Sequence, residues 1–308
     1  MTPPPPDPPP SSVVEDALTG DVVILAPARA ARPDDFRRRD ERAPAPAPGP
    51  CPFCPGHETL TPPEVARAGA GAPDEPGWQV RVVPNKFPIV GPGPGGAHEV
   101  VVLSPDHDAD LGALDAVAAA AALRMLRDRS AAALAAGHAH VQAFVNHGAA
   151  SGASLAHPHG QVIALDRVPP RAAARLARFS PAAFERDRAD VVLAADGAVV
   201  WSPPAAASPF ALRCAVPGSG GRFDRIDDDT AGAVARILAA TVRRLRRVLG
   251  DPAYNIVFEQ APPGSGPFEW WADIVPRISV TGGFEIAAGA CVNIVPPALA
   301  AAALREES

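Results

Sequence analysis

The chain has 308 residues, with 28 Lys+Arg against 34 Asp+Glu and a formal charge of −6. Hydrophobic residues make up 47% and charged residues 20%, enough apolar matter for one large core or two ordinary ones and unlike a disordered chain. An acidic balance without a dense basic block argues against nucleic-acid binding. No apolar run of about 18 residues free of charge and proline suggests a membrane span. Met1 to Pro10 has neither the basic nor the apolar region of a secretory signal, so the expected location is cytoplasmic.

Residues 1–12 are proline-rich and read as disordered. Gly20 to Ala26 reads as a strand, and the charged then Ala/Pro-rich segment Arg37 to Pro50 as a loop. Trp78 to Val83 and His98 to Leu103 are β-rich runs bounded by Pro and Gly. Asp110 to Ala136 carries a long helical pattern, followed by strands at Ala139 to Asn146 and Gln161 to Leu165. The second half repeats this order: a strand at Phe210 to Val216, a helix over Asp227 to Leu249, and strands at Tyr254 to Glu259 and Trp271 to Ile278. Pro105 to Asn146 spans 41 positions and Pro217 to Glu259 spans 42; Asn146 to His157 spans 11 and Glu259 to Trp271 spans 12. Such agreement points to an internal duplication. The fold class expected is α+β, with two tandem halves (13–168 and 169–308), each an antiparallel sheet with a crossing helix. In that register Trp271 and Asp273 take the places of His157 and His159.

A single lysine, Lys86, among 28 basic residues, together with 39 prolines, reads as the coding bias of a GC-rich genome. The histidines carry more information. All eight lie between His57 and His159, so any histidine chemistry belongs to the first half. Four cysteines are too few for a disulfide scaffold. Cys51 and Cys54 form a C-x-x-C flanked by turn residues, a knuckle that can aim two thiolates at one metal; a redox pair or an idle pair are the alternatives. Cys214 and Cys291 sit in strand-like apolar runs and read as buried packing residues.

The most specific stretch runs from Asn146 through a Gly/Ser loop to His157-Pro-His159-Gly-Gln161. Histidines two apart on an extended segment share a face, and Pro158 fixes the backbone between them. Ser151, Ser154 and the glycines leave room for donors to approach an anion. Gln161 can donate to a phosphoryl oxygen without adding charge. Neutral imidazole is a competent nucleophile near pH 7, so this grouping suits phosphoryl chemistry.

At these residues the chain resembles the galactose-1-phosphate uridylyltransferase family of the histidine-triad superfamily. The resemblance rests on Leu18-Thr-Gly20 with Arg29 and Arg32-Pro33, Cys51-Pro-Phe-Cys54, Asn85-Lys-Phe-Pro88, Ser104-Pro-Asp-His107 and the His157-Pro-His159-Gly-Gln161 block. In the second half it adds Tyr254-Asn255, Pro276-Arg277 and Gly283-Phe284-Glu285. The glutamine in H-P-H-G-Q resembles the transferase branch; hydrolase-type members carry a third histidine there.

The resemblance implies two histidine-triad-like halves and a zinc site of Cys51, Cys54, His107 and His157, with His57 as an alternative ligand. It implies ping-pong chemistry: His159 takes a nucleotide from a nucleoside diphosphate sugar (UMP from a UDP-sugar, in the family's own activity) and passes it to a sugar 1-phosphate. Alternatives are transfer to phosphate, as in an ADP-sugar phosphorylase, hydrolysis of dinucleotides or nucleotide sugars, and a non-catalytic nucleotide- or zinc-binding protein. Gln161, Asn146 and Ser154 match phosphate-holding positions; Arg29 and Arg32 match N-terminal arginines suited to a phosphate, or form a solvated basic loop. Asn85 matches a nucleoside-contacting position. Glu285 matches a sugar-contacting position supplied by the neighbouring subunit, which implies a homodimer. Many members hold a second metal in the second half, where this chain has Glu259, Trp271 and Asp273. With no histidine after residue 159, those acids are expected to be solvated or paired within the sheet.

Overall fold

The computed structural model describes residues 9–31, 49–91 and 96–306. Arg32, most of the Arg37 to Pro50 loop and residues 1–8 of the proline-rich start lie outside them. Ten strands form one antiparallel sheet in the order β3-β4-β5-β7-β6-β11-β12-β10-β9-β8. They are β3 (Ala66–Gly69), β4 (Trp78–Pro84), β5 (Gly96–Val102), β6 (His140–His147), β7 (His159–Leu165), β8 (Asp190–Ala195), β9 (Ala198–Ser202), β10 (Leu212–Ala215), β11 (Tyr254–Glu259) and β12 (Trp271–Pro276). A three-stranded sheet joins β1 (Ser12–Glu15), β2 (Val22–Leu25) and β13 (Cys291–Asn293).

The expected duplication appears in the order of elements. Strand β5, helix α1 (Ala116–Ala135), β6 and β7 are matched by β10, helix α4 (Asp228–Leu249), β11 and β12. Both helices start at an aspartate that accepts a backbone N–H three residues on, Asp115 from Ala118 and Asp227 from Thr230, an N-cap that satisfies one orphan donor. That cap explains why α1 starts at Ala116 rather than Asp110. The sheets of the two halves merge through β6 and β11, where Asn146 faces Asn255 and Val145 faces Ile256.

Alternation along each strand divides the sheet into two faces. Val141, Ala143 and Val145 of β6, Val162 and Ala164 of β7, and Ile256 and Phe258 of β11 pack under Leu123 and Leu126 of α1 and Val234 and Leu238 of α4. The opposite face carries His98, His159, Gln161, His140, Asn146, Asn255, Glu259, Trp271 and Asp273 by the same alternation.

The ladder corrects the register read from spacing. Val145 faces Gly160, which sets Asn146 beside His159, while Glu259 faces Trp271. With Asn146 matched to Glu259, Trp271 takes the place of His159, and Asp273 that of Gln161.

Strands β8 and β9, helices α2 (Pro170–Arg178), α3 (Pro181–Asp187), α5 (Gly283–Ala288) and α6 (Pro297–Glu306) fill the segments that periodicity left unread. Cys214 is fully buried in the core, but Cys291 is only half-buried on the short strand β13, where it pairs with Val23. Among the described residues no helix is long and apolar enough to cross a membrane.

Candidate active site and metal centre

The C-x-x-C knuckle closes with a Cys54 N–H to Cys51 C=O bond. It brings both sulfurs to His157, whose Nδ1 lies 3.8 Å from Cys51 Sγ and 3.7 Å from Cys54 Sγ. His107 Nδ1 lies 3.3 Å from Cys54 Sγ. One donor atom from each of Cys51, Cys54, His107 and His157 lies within 4.8 Å of every other. Two thiolates and two imidazoles at that spacing fit a closed tetrahedral metal site.

The histidine tautomer fits as well. His157 Nε2 is 2.8 Å from the Ser104 carbonyl oxygen, which can only accept, so Nε2 carries the proton and the Nδ1 lone pair faces the sulfurs. Burial pulls the His157 pKa down to about 4, although the Ser104 carbonyl favours its charged form; it is a neutral ligand at pH 7. Burial and the neighbouring Cys51 push the Cys54 thiol up to about 11, a repulsion that a divalent cation held between them would reverse. His57 is not part of the cluster: its Nδ1 lies 2.9 Å from the Cys51 carbonyl oxygen and ties the knuckle's backbone.

His159 opens β7 two residues after the metal-facing His157. Its Nδ1 lies 2.8 Å from the His157 carbonyl oxygen, so Nδ1 is the protonated nitrogen and Nε2 holds the free lone pair. Burial lowers its pKa despite that bond, which keeps the ring neutral near pH 7. Phe53, between the two cysteines, packs on both rings, with centroids 6.0 Å from His157 and 5.5 Å from His159. The knuckle therefore supports the ring of His159 as well as binding His157.

Gly160 behind His159 is required by space rather than by φ. A Cβ there would stand 3.0 Å from Leu126 Cδ2 on α1 and 3.1 Å from the Phe144 carbonyl oxygen. The glycine of H-P-H-G lets the helix press directly against the strand that carries the site.

Gln161 shares the face of His159, as the sequence predicts. Its Oε1 lies 2.7 Å from His98 Nε2, and Asn85 Nδ2 lies 3.1 Å from the same nitrogen. Asn146 Oδ1 accepts from Asn255 Nδ2 at 2.7 Å, and Asn255 also bonds the Ser151 carbonyl at 2.9 Å. That leaves the Asn146 amide nitrogen directed at the turn, 3.9 Å from where a Gly152 Cβ would stand. Gly148 enters this turn at φ +77 with Ala253 packed against it, a conformation and a contact that only glycine accepts readily.

The structure thus joins His157, His159, Gln161, Asn85 and Asn146 on one face and adds Asn255, which the sequence reading quoted only within the Tyr254-Asn255 motif, and His98, which it gave no role. The signal for Asn255 was that motif; no sequence signal pointed to His98, because the pairing of its strand with that of Gln161 is seen only in the ladder. Ser154 is exposed on the loop, and Arg29 is exposed on a short 3-10 turn, Pro27–Ala31. Glu285 stands on α5, where its carboxylate accepts the Gly282 N–H at 3.0 Å, and no described contact joins it to His159.

In the second half both acids are paired, Asp273 within the sheet as expected and Glu259 with a helix instead. Glu259, deeply buried, forms an ion pair with Arg175 of α2. Asp273 accepts from Arg213 Nε at 2.9 Å and from Trp271 Nε1 at 3.2 Å. The buried Arg213 guanidinium also reaches Asp16 at 2.7 Å and Asp187 at 2.9 Å. Arginines occupy the acceptor positions that a second metal would need, so the residues present do not fit one there.

Residues 90–169 match the galactose-1-phosphate uridyl transferase N-terminal domain family. Over 96% of its length the chain is 32% identical to an ADP-glucose phosphorylase of Arabidopsis thaliana, covering 92% of that protein. The chain belongs to the galactose-1-phosphate uridylyltransferase family. As a member of that family it is a nucleotide-sugar enzyme and falls in the histidine-triad superfamily. A galactose-1-phosphate uridylyltransferase of Streptomyces lividans is 33% identical, but over 41% of this chain and 32% of its own length. The crystal structure of an Arabidopsis thaliana ADP-glucose phosphorylase with bound ADP-glucose superposes with a TM-score of 0.86 at 29% identity, covering 97% of this chain and 100% of that one. The α+β fold, a large antiparallel sheet with crossing helices, is therefore shared over 97% of the chain.

Proposed function

We propose that this chain is a nucleotidyltransferase that takes AMP from an ADP-sugar onto His159 and delivers it to inorganic phosphate, the reaction of an ADP-sugar phosphorylase. The observation that carries the chemistry is the tautomer of His159. With Nδ1–H held by the His157 carbonyl, the Nε2 lone pair is the free nucleophile. In the first half-reaction, Nε2 attacks the α-phosphorus, the bond from that phosphorus to the bridging oxygen breaks, and the sugar 1-phosphate leaves. In the second, a phosphate oxygen attacks the same phosphorus, the P–N bond breaks, and ADP leaves.

The remaining residues serve charge and position. Gln161 and the amide nitrogen of Asn146 donate to the nonbridging oxygens, where negative charge builds in the transition state. Ser154 and Arg29 close on the phosphates, and Asn85 contacts the nucleoside. Glu285 reaches the sugar of a neighbouring subunit in a homodimer. Zinc held by Cys51, Cys54, His107 and His157 is structural, since four protein ligands leave no open position; it fixes the knuckle and, through Phe53, the ring of His159.

The preference for adenine and for phosphate as acceptor rests on likeness along the whole chain to an ADP-glucose phosphorylase. The reading favoured by the sequence, UMP transfer from a UDP-sugar to a sugar 1-phosphate, is supported by the shorter match to a uridylyltransferase and remains the second proposal. Product analysis separates them. ADP-glucose with phosphate is expected to yield ADP and glucose 1-phosphate faster than UDP-glucose with galactose 1-phosphate yields UDP-galactose. The reverse order of rates would replace the first reading by the second.

A further inference from the structure

We propose that His98 is a positioning residue for the transferred phosphoryl group: as a neutral ring protonated at Nε2 it holds Gln161 Oε1 and turns the Gln161 amide nitrogen toward the site. The inference rests on the roles given above to His159 and Gln161. His98 lies on β5, in the strand next to β7, and is 7% exposed. The backbone N–H of Ile89 donates to its Nδ1 at 3.2 Å. That nitrogen therefore carries the lone pair, and in a neutral imidazole the proton sits on Nε2. An N–H at Nε2 requires an acceptor, and Gln161 Oε1 stands 2.7 Å away.

The consequence concerns which end of an amide meets the substrate. A glutamine amide is close to symmetric in shape, and its two orientations differ mainly in hydrogen bonding. Without His98, the Gln161 carbonyl could turn toward a phosphoryl oxygen and oppose it, acceptor against acceptor. With His98 in place that oxygen is occupied, and both amide hydrogens are left for the phosphoryl group. Asn85 Nδ2 also lies 3.1 Å from Nε2, a donor facing a donor in this tautomer; the shorter contact to Gln161 Oε1 takes the proton, and Asn85 Oδ1 is held by the Phe87 N–H at 2.8 Å. One buried ring ties the loop of Asn85 and Ile89 to the glutamine beside the nucleophile.

Rapid-quench measurement of nucleotidyl-enzyme formation from ADP-glucose tests this in wild type, His98→Phe, His98→Gln, Gln161→Ala and the double variant His98→Phe/Gln161→Ala. His98→Phe keeps a ring but no nitrogen, and is expected to slow the step about 10- to 100-fold. His98→Gln, which can donate to Gln161 and accept from Ile89, is expected to recover most of that loss. The double variant is expected to be no slower than Gln161→Ala alone, since His98 acts on the rate through Gln161. Losses that multiply, or a His98→Gln variant as slow as His98→Phe, overturn the proposal. A wild type that forms no adduct overturns the nucleotidyl-histidine reading itself; an adduct formed at wild-type rate in His98→Phe overturns only the role of His98. Should His98→Phe fail to fold, long-range 15N–1H spectra of histidine-labelled wild type, assigned with His98→Gln, read the tautomer directly. A neutral ring protonated at Nε2 supports the proposal, and a ring protonated at Nδ1 overturns it.

Discussion

Replacing Gly160 by alanine places one methyl group between the helix layer and the strand that bears His159 and Gln161. The new Cβ would meet Leu126 Cδ2 at 3.0 Å, the Phe144 carbonyl oxygen at 3.1 Å and Val145 Cγ2 at 3.4 Å. Leu126 is 2% exposed on α1 and has little room to withdraw, and the Phe144 oxygen belongs to the ladder between β6 and β7. Overpacking of this kind costs about 1–3 kcal/mol. Removing a glycine from the unfolded chain returns about 0.5–1 kcal/mol, so a net loss of about 1–2 kcal/mol is predicted. At about 2–4 °C per kcal/mol for large domains, thermal unfolding with zinc present should occur about 2–8 °C lower. Leu126→Ala alone should cost about 2–5 kcal/mol, but less in the Gly160→Ala background, because the new methyl fills part of the hole. Activity should fall more than stability, since His159 and Gln161 flank the displaced residue. An unchanged or raised unfolding temperature in Gly160→Ala would refute the argument that helix α1 presses on the site through this glycine.

Three further outcomes are predicted. Metal analysis of the purified protein should find one zinc per chain, abolished in Cys51→Ala/Cys54→Ala; two per chain would contradict the pairing of Glu259 and Asp273 with arginines. Arg213→Met should destabilise the fold by about 3–5 kcal/mol at pH 7, because it strands buried Asp16 and Asp187 without a countercharge. Asp16 is held below its usual range: its burial is outweighed by Arg213 and by hydrogen bonds. Its stabilisation in wild type is thus present above about pH 4 and lost as pH falls. Asp187 is already raised in wild type, because its burial outweighs Arg213; in the variant it rises further and Asp16 loses the countercharge that held it down, so denaturant melts should show the deficit shrinking toward pH 4. His140→Phe should gain stability relative to wild type as pH drops from 7 to 5. Burial, with the charge of Arg175 nearby, lowers the His140 pKa, so the unfolded chain takes up a proton near pH 6.5 that the folded protein refuses; a constant difference across that range would contradict this.

What could be read in advance was set by local chemistry. The C-x-x-C knuckle, the histidine of Ser104-Pro-Asp-His107 and the H-P-H-G-Q block carry their chemistry in residue type and spacing, and the structure draws them to one face. The two long helices were legible because their helical patterns lie within the segments themselves, whereas the Asp115 cap that moves the start of α1 to Ala116 was not read. Helices α2 and α3 and strands β8 and β9 were not, because Ala- and Arg-rich composition blunts periodicity and their burial is decided by partners distant in sequence. The second-half register slipped by one side-chain pair because spacing counts loop residues, whereas the ladder counts only paired ones. His98 was invisible for another reason. Its importance lies in which nitrogen meets Ile89 and which meets Gln161, 63 residues away, and no spacing encodes that.

The most direct test of the account is intact-protein mass spectrometry after mixing with ADP-glucose, and separately with UDP-glucose, with no acceptor present. An acid-labile gain equal to one AMP is expected from ADP-glucose, lost on adding phosphate and absent in His159→Asn. An adduct that persists in His159→Asn, or no adduct and no released nucleotide from either donor, would contradict the claim that His159 carries the nucleotide.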